Sequence, residues 1–123
     1  MLVAKVDNTG NLVWNTFLGG TGAEYCFGTG LDKNGNIYVS ARSNATWGTP
    51  VRAFSVGNDA EVAKLDASGT LLWNTFIGGA GTDFGRSLAV DDDGNSYAVG
   101  WTDTAWGSPI RAYTSGNDVY ANN

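Results

Sequence analysis

The chain states one phrase twice. Residues 3 to 20, VAKVDNTGNLVWNTFLGG, return at 62 to 79 as VAKLDASGTLLWNTFIGG. The offset of 59 also joins Trp47 to Trp106, Pro50 to Pro109 and Asp59 to Asp118, and 25 of the 59 aligned pairs are identical without insertion or deletion. A fixed period of this length marks a structural unit that cannot bury its own faces and stacks on copies of itself. Fewer than half the positions match, which fits drift after duplication, or a piece of a longer natural array, better than a symmetrised design.

The unit reads as all-β. Gly is abundant, at 18 of 123 residues, and aromatic and β-branched residues are spread over short runs, a balance that favours strands and tight turns. Four turn signals recur: Asp7-Asn8-Thr9-Gly10-Asn11, Lys33-Asn34-Gly35-Asn36, Asp66-Ala67-Ser68-Gly69-Thr70 and Asp92-Asp93-Gly94-Asn95. Each sets a Gly where the chain needs positive φ and so predicts a β-hairpin. The complete middle copy then has strands near 24–32, 36–42, 59–66 and 70–77. Only the second and third are joined by a long connection, which marks it as a feature rather than a plain turn.

Alternation indicates what covers these strands. In Leu71-Leu72-Trp73-Asn74-Thr75-Phe76-Ile77 apolar groups point both ways, as in a sheet packed on each face. The first strand pairs a small face, Gly28 and Gly30 or Ser87 and Ala89, with a bulky one, Thr29 and Leu31 or Leu88 and Val90. That contrast suits a crowded position where sheets converge. Four-stranded units sandwiched between copies, with the tightest strand at a converging centre, predict blades of a β-propeller.

GTDFGRSLAVDDDGNSYAVGWT, together with GNDAEVAKLDASGTLLWNTFIGG, resembles the bacterial β-propeller repeat family named for a seven-bladed architecture. The resemblance implies blade order, with the run ending in Asp32 or Asp91 innermost and the run holding Trp14 or Trp73 outermost. It also implies a bacterial secreted or cell-surface setting, and no substrate. The first copy departs from it at YCFGTGLD, so a role of Arg86 is not shared by the copy carrying Phe27.

In that order residues 1–20 supply the third and outermost strands of one blade, 21–79 a complete blade, and 80–123 the two inner strands of another plus a short tail. The expectation is a circularly permuted arrangement in which strands near 84–102 of one copy accept strands near 2–18 of another. Head-to-tail contacts of this kind close into a ring when the rotation fits. Two blades per chain permit only even totals, so a homo-trimer of six blades or a homo-tetramer of eight is expected. Val119 to Asn123 fall where the repeat would restart. Val3-Ala4-Lys5 keeps the pattern of Val62-Ala63-Lys64 and Asn122-Asn123 does not, so the N-terminal copy is expected to take the slot.

Several functions are disfavoured by composition. Seven basic against twelve acidic residues give a net charge of −5 with no basic run, so neither nucleic acid nor a membrane surface is an expected partner. Apolar runs are too short to cross a bilayer, and MLVAKVD has no long apolar segment of a signal peptide. Cys26 is the one cysteine, read as a small buried apolar side chain. Without histidine, Ser-His-Asp and Cys-His chemistry is excluded. Asp91-Asp92-Asp93-Gly94-Asn95 lacks the ligand alternation and bidentate Glu of an EF-hand loop and reads as a turn ahead of a calcium site. No metal, cofactor or catalytic residue is expected, and the chain reads as no enzyme; a channel-centred site would have to use Glu24, Asp83 and Arg86.

The best candidates for binding lie in the long connection. Trp47 and Arg52, repeated as Trp106 and Arg111, combine an aromatic face with a guanidinium, suited to stacking on a sugar or protein side chain and forking onto a carboxylate. The same conservation between copies is what a loop anchor would show, and that reading is the stronger. Asn58-Asp59 and Asn117-Asp118 would cap the loop. The expected function is a non-catalytic, self-assembling scaffold or binding module with weak multivalent glycan or protein contacts at rim loops; the alternative is a purely structural segment of a longer surface repeat protein.

Overall fold

The computed structural model describes residues 1–116. Strands β1 (Leu2–Val6) and β2 (Leu12–Phe17) form a two-stranded sheet. β3 (Glu24–Leu31), β4 (Ile37–Ser43), β5 (Asp59–Leu65) and β6 (Leu71–Ile77) form an antiparallel meander in sequence order, and β7 (Asp83–Val90) and β8 (Ser96–Thr102) form another pair. There is no helix among the described residues. The pairs β1–β2 and β7–β8 repeat β5–β6 and β3–β4 one period away.

Each hairpin turns by the same chemistry. Asp7, Asp32, Asp66 and Asp91 point one carboxylate oxygen back at the turn, where it accepts the backbone N–H groups two and four residues on at 2.8–3.1 Å. Gly10, Gly35, Gly69 and Gly94 take φ from 78° to 90°, the left-handed region where a Cβ is disfavoured. At Asp91, as at the other three, Oδ1 is committed to the turn. Hydrogen bonds to the ionised form, the Asn11 N–H foremost, hold the Asp7 carboxyl down at about 2.

The central strands β4 and β5 of the middle sheet are covered on both faces, whereas Tyr25, Phe27 and Leu31 of β3 are exposed. On one side Val39, Ala63, Leu65 and Phe76 form the core with Leu18 and Trp47, backed by Met1 and Val3. Phe76 is fully buried, and truncating such a side chain to Ala costs about 3–5 kcal/mol. On the other side β7 lies against β3, and the contrast of small and bulky faces explains the closeness. A Cβ added at Gly30 would fall 2.9 Å from Val90 Cγ2 and 3.0 Å from Leu88 Cδ1, so the bulky face of β7 seats on the glycines of β3. Leu72, at the turn end of β6, stays exposed.

Sequence and environment part company at β1. Val-Ala-Lys occurs in β1 and in β5; Ala63 is wholly buried while Ala4 is exposed. The difference lies in the neighbours, since β5 is paired on both edges and β1 only by β2. Cys26 corrects the expectation of a buried thiol: it is exposed, because its side of β3 borders a hollow of about 600 Å³ between β1 and the β3–β4 face. Asn117-Asp118 and the residues 119–123 proposed to yield their slot lie outside the described residues.

Candidate functional site

The connection between β4 and β5 is not a free rim loop in the middle copy; it folds down along the outer edge of β6. Val51 donates its N–H to the Asn74 carbonyl at 2.9 Å, and Phe76 donates to the Arg52 carbonyl at 3.1 Å. These two bonds extend the sheet by a short irregular strip and satisfy an edge that would otherwise invite pairing. Arg52 reinforces the strip from its side chain, donating from Nη1 to the Phe76 carbonyl at 2.9 Å and from Nη2 to the Gly78 carbonyl at 2.6 Å. Phe54 meets Phe76 edge to face with centroids 5.5 Å apart.

The start and end of the loop are fixed as well. Trp47 is 7% exposed; its Nε1 donates to Glu61 Oε2 at 2.7 Å, and its carbonyl accepts Asn74 Nδ2 at 3.1 Å. Asp59 caps the far end, accepting the Ser55 N–H at 2.7 Å and its hydroxyl at 2.8 Å. Glu61 itself is fully buried, with Oε1 unpartnered. Burial pushes its carboxyl up to about 7, against the partial relief of the Trp47 bond.

The second copy of the loop has the same residues and a different setting. Trp106 is 36% exposed against 7% for Trp47, while Ile110 and Arg111 are exposed as Val51 and Arg52 are. A hollow of about 660 Å³ opens among Thr102, Trp106, Pro109, Arg111 and Tyr113. Of the four sequence candidates, Trp47 and Arg52 therefore act as anchors, and Trp106 and Arg111 present themselves to solvent. One contact joins the copies: the Arg52 guanidinium carbon lies 5.2 Å from the Trp106 ring centroid.

The groups that a channel-centred site would need make local contacts, though Asp83 Oδ1 is buried without a hydrogen-bond partner. Glu24 and Asp83, one period apart, each accept the N–H of the Gly-Gly turn before them, Gly20 at 3.3 Å and Gly79 at 3.0 Å. Arg86 lies over the Phe27 ring at 5.3 Å, so the two residues sharing a repeat position, each at a bulge in its strand, touch each other. Among the described residues no three of His, Cys, Asp and Glu gather to hold a metal ion.

Sequence reading missed a ladder of flat groups across the inner strands. The Arg42 guanidinium sits 4.3 Å from the Tyr25 ring and 4.3 Å from the Phe84 ring, and Phe84 stacks on Trp101 with centroids 4.4 Å apart. The signal was an aromatic residue in both copies at one position, Tyr25 and Phe84, and a flat group in both at another, Arg42 and Trp101, visible only once β3 and β4 are placed side by side.

Comparison with known families gives one result: residues 72–105 match the family model described as a Beta-propeller repeat. No curated protein matches the chain. The matched span runs from β6, an edge strand of the middle sheet, through β7 and β8 into the second loop.

Proposed function

From a chain that carries a β-propeller repeat, we propose a non-catalytic scaffold or binding module that assembles with copies of itself into a closed ring. One observation carries this reading: the edges of β8 and β1, open among the described residues, are the repeat equivalents of β4 and β5, which pair in a full seven-residue register from Ile37↔Leu65 to Ser43↔Asp59. Moving that register by 59 sets Ser96 opposite Val6, Tyr97 opposite Lys5, Ala98 opposite Ala4 and Val99 opposite Val3 of a second copy. Exposed apolar groups line both edges, with Leu2 at 60%, Val99 at 57% and Tyr97 at 58%. Joining them removes two open sheet edges at once.

The inner ladder continues across the same junction. Arg42 reaches Phe84 one blade on, so Trp101 of one copy comes to lie over Tyr25 of the next, a residue 49% exposed. Phe84, Trp101, Tyr25 and Arg42 would then alternate around the whole ring. Three copies give six blades and four give eight. Absolute mass by light scattering or native mass spectrometry tests the reading; a folded subunit that stays solitary at tens of micromolar ends it.

A second reading, weak multivalent binding of a glycan or protein at the rim, rests on the exposed ring of Trp106 beside the 660 Å³ hollow. Retention on immobilised polysaccharide, compared with Trp106→Ala, tests it.

A further inference from the structure

We infer that residues 105–113 form a clasp that closes on the outer edge of β2 of a second copy, so that Arg111 and Ile110 are subunit-joining residues rather than ligand contacts. The inference rests on the ring assembly proposed above and adds to it the segment that locks the joint.

The middle copy supplies the pattern. There the loop seals β6 through Val51, Arg52 and Phe54, acting on Asn74, Phe76 and Gly78. One period away the loop residues are Ile110, Arg111 and Tyr113, and the strand residues are Asn15, Phe17 and Gly19. Arg, Asn, Phe and Gly are identical at these positions, Ile replaces Val and Tyr replaces Phe, so each of these edge contacts has a chemically equivalent pair; the Trp47–Glu61 bond has none, since Leu2 stands at the repeat position of Glu61. Within one chain the two halves are apart: Phe17 is 76% exposed where its equivalent Phe76 is fully buried, and among the described residues β2 has no neighbour on its outer edge.

The equivalent bonds follow directly. The Ile110 N–H donates to the Asn15 carbonyl of the second copy, the Phe17 N–H of that copy donates to the Arg111 carbonyl, and the Arg111 guanidinium forks onto the Phe17 and Gly19 carbonyls. Phe17 fills the hollow beside Trp106 and meets Tyr113 as Phe76 meets Phe54. Arg111 also reaches the Trp47 ring of that second copy, as Arg52 reaches Trp106. Edge pairing of β8 with β1 alone would leave the outer edge of β2 open; the clasp closes it.

Amide hydrogen exchange on the whole chain, run above and below the concentration of half-assembly, tests this. The Ile110 and Phe17 amides are expected to exchange at least about 100-fold more slowly in the assembled state and to lose that protection on dilution. Arg111→Ala is expected to raise the concentration of half-assembly about tenfold or more, and Arg111→Lys to restore little of it, since an ammonium cannot span two carbonyls as a fork. Assembly by mass with both amides open overturns the clasp and leaves the ring reading standing. No assembly at any concentration overturns both. Protection that persists on dilution, or that appears only with added polysaccharide, assigns the loop elsewhere and overturns the clasp alone.

Discussion

The Arg52 guanidinium packs on the Trp106 ring at 5.2 Å while its two ends hold the carbonyls of Phe76 and Gly78. One side chain thus ties a loop to its own blade and to the loop of the next. Replacing it with Ala removes two charge-assisted bonds from a residue that is partly open to water, so the loss is expected near 1–2 kcal/mol. Arg52→Lys should recover less than half, because a point charge does not reproduce the planar fork. Urea unfolding midpoints of the three proteins at one concentration check this. An unchanged midpoint for Arg52→Ala would show the loop held by its backbone bonds alone.

Glu61 sets a pH dependence of opposite sign to that of the turn aspartates. Its folded value of about 7 lies above the ordinary 4.5, so between those values the folded chain keeps a proton that the unfolded chain has released. Stability contributed by this group is highest at the acid side and falls as pH rises through 7, by on the order of 3 kcal/mol in full. Glu61→Gln keeps an oxygen for Trp47 Nε1 and removes the charge. It should be more stable than the parent by about 1–3 kcal/mol at pH 8 and indistinguishable near pH 4.5. Asp7, held at about 2, loses its contribution only as pH falls well below that window. Denaturant melts at pH 5 and pH 8 decide it; a parent that is steadier at pH 8 than at pH 5 would refute the assignment.

Gly30 is a point where β3 and β7 come close. Its virtual Cβ already meets Val90 and Leu88 at 2.9 and 3.0 Å, both at the ends of side chains that can shift. Gly30→Ala is therefore expected to cost about 1 kcal/mol and Gly30→Leu about 3 kcal/mol or more, since the larger group must push β7 away bodily. Thermal melts check the ordering, and equal melting for the two would mean that β7 is not seated on β3.

Most of the blade was legible beforehand because its signals are local. Turn aspartates and glycines fixed the hairpins, and the strands at 24–31, 37–43, 59–65 and 71–77 lie within a residue of their expected bounds. The small and bulky faces of the first strand match the close seating of β7 on β3. What local signals do not carry is which side of a strand finds a neighbour. Cys26 and Ala4 have sequence surroundings that suit burial, and both are exposed. Trp47 and Trp106 read alike yet sit in different settings, because a loop that clasps a strand is anchored only where that strand is present. The fork of Arg52 onto backbone carbonyls was illegible for the same reason: carbonyls leave no trace in residue identity.

Cys26 reports on the junction without any substitution. Its repeat equivalent, Gly85, lies with a virtual Cβ 2.7 Å from Ser40 Oγ and 3.6 Å from Ala60 Cβ. One period back, those neighbours become Val99 of a second copy and Met1 of the same one. Assembly would therefore bring an isopropyl group onto a thiol that a single chain leaves exposed. Alkylation by a neutral maleimide is expected to slow by about tenfold or more above the concentration of half-assembly, since the reagent must wait for the joint to open. Val99→Ala should restore part of the rate without altering it in the dilute state. A rate that stays constant across the full concentration range, in a protein whose mass does change, would place the subunit junction somewhere other than the face of β3.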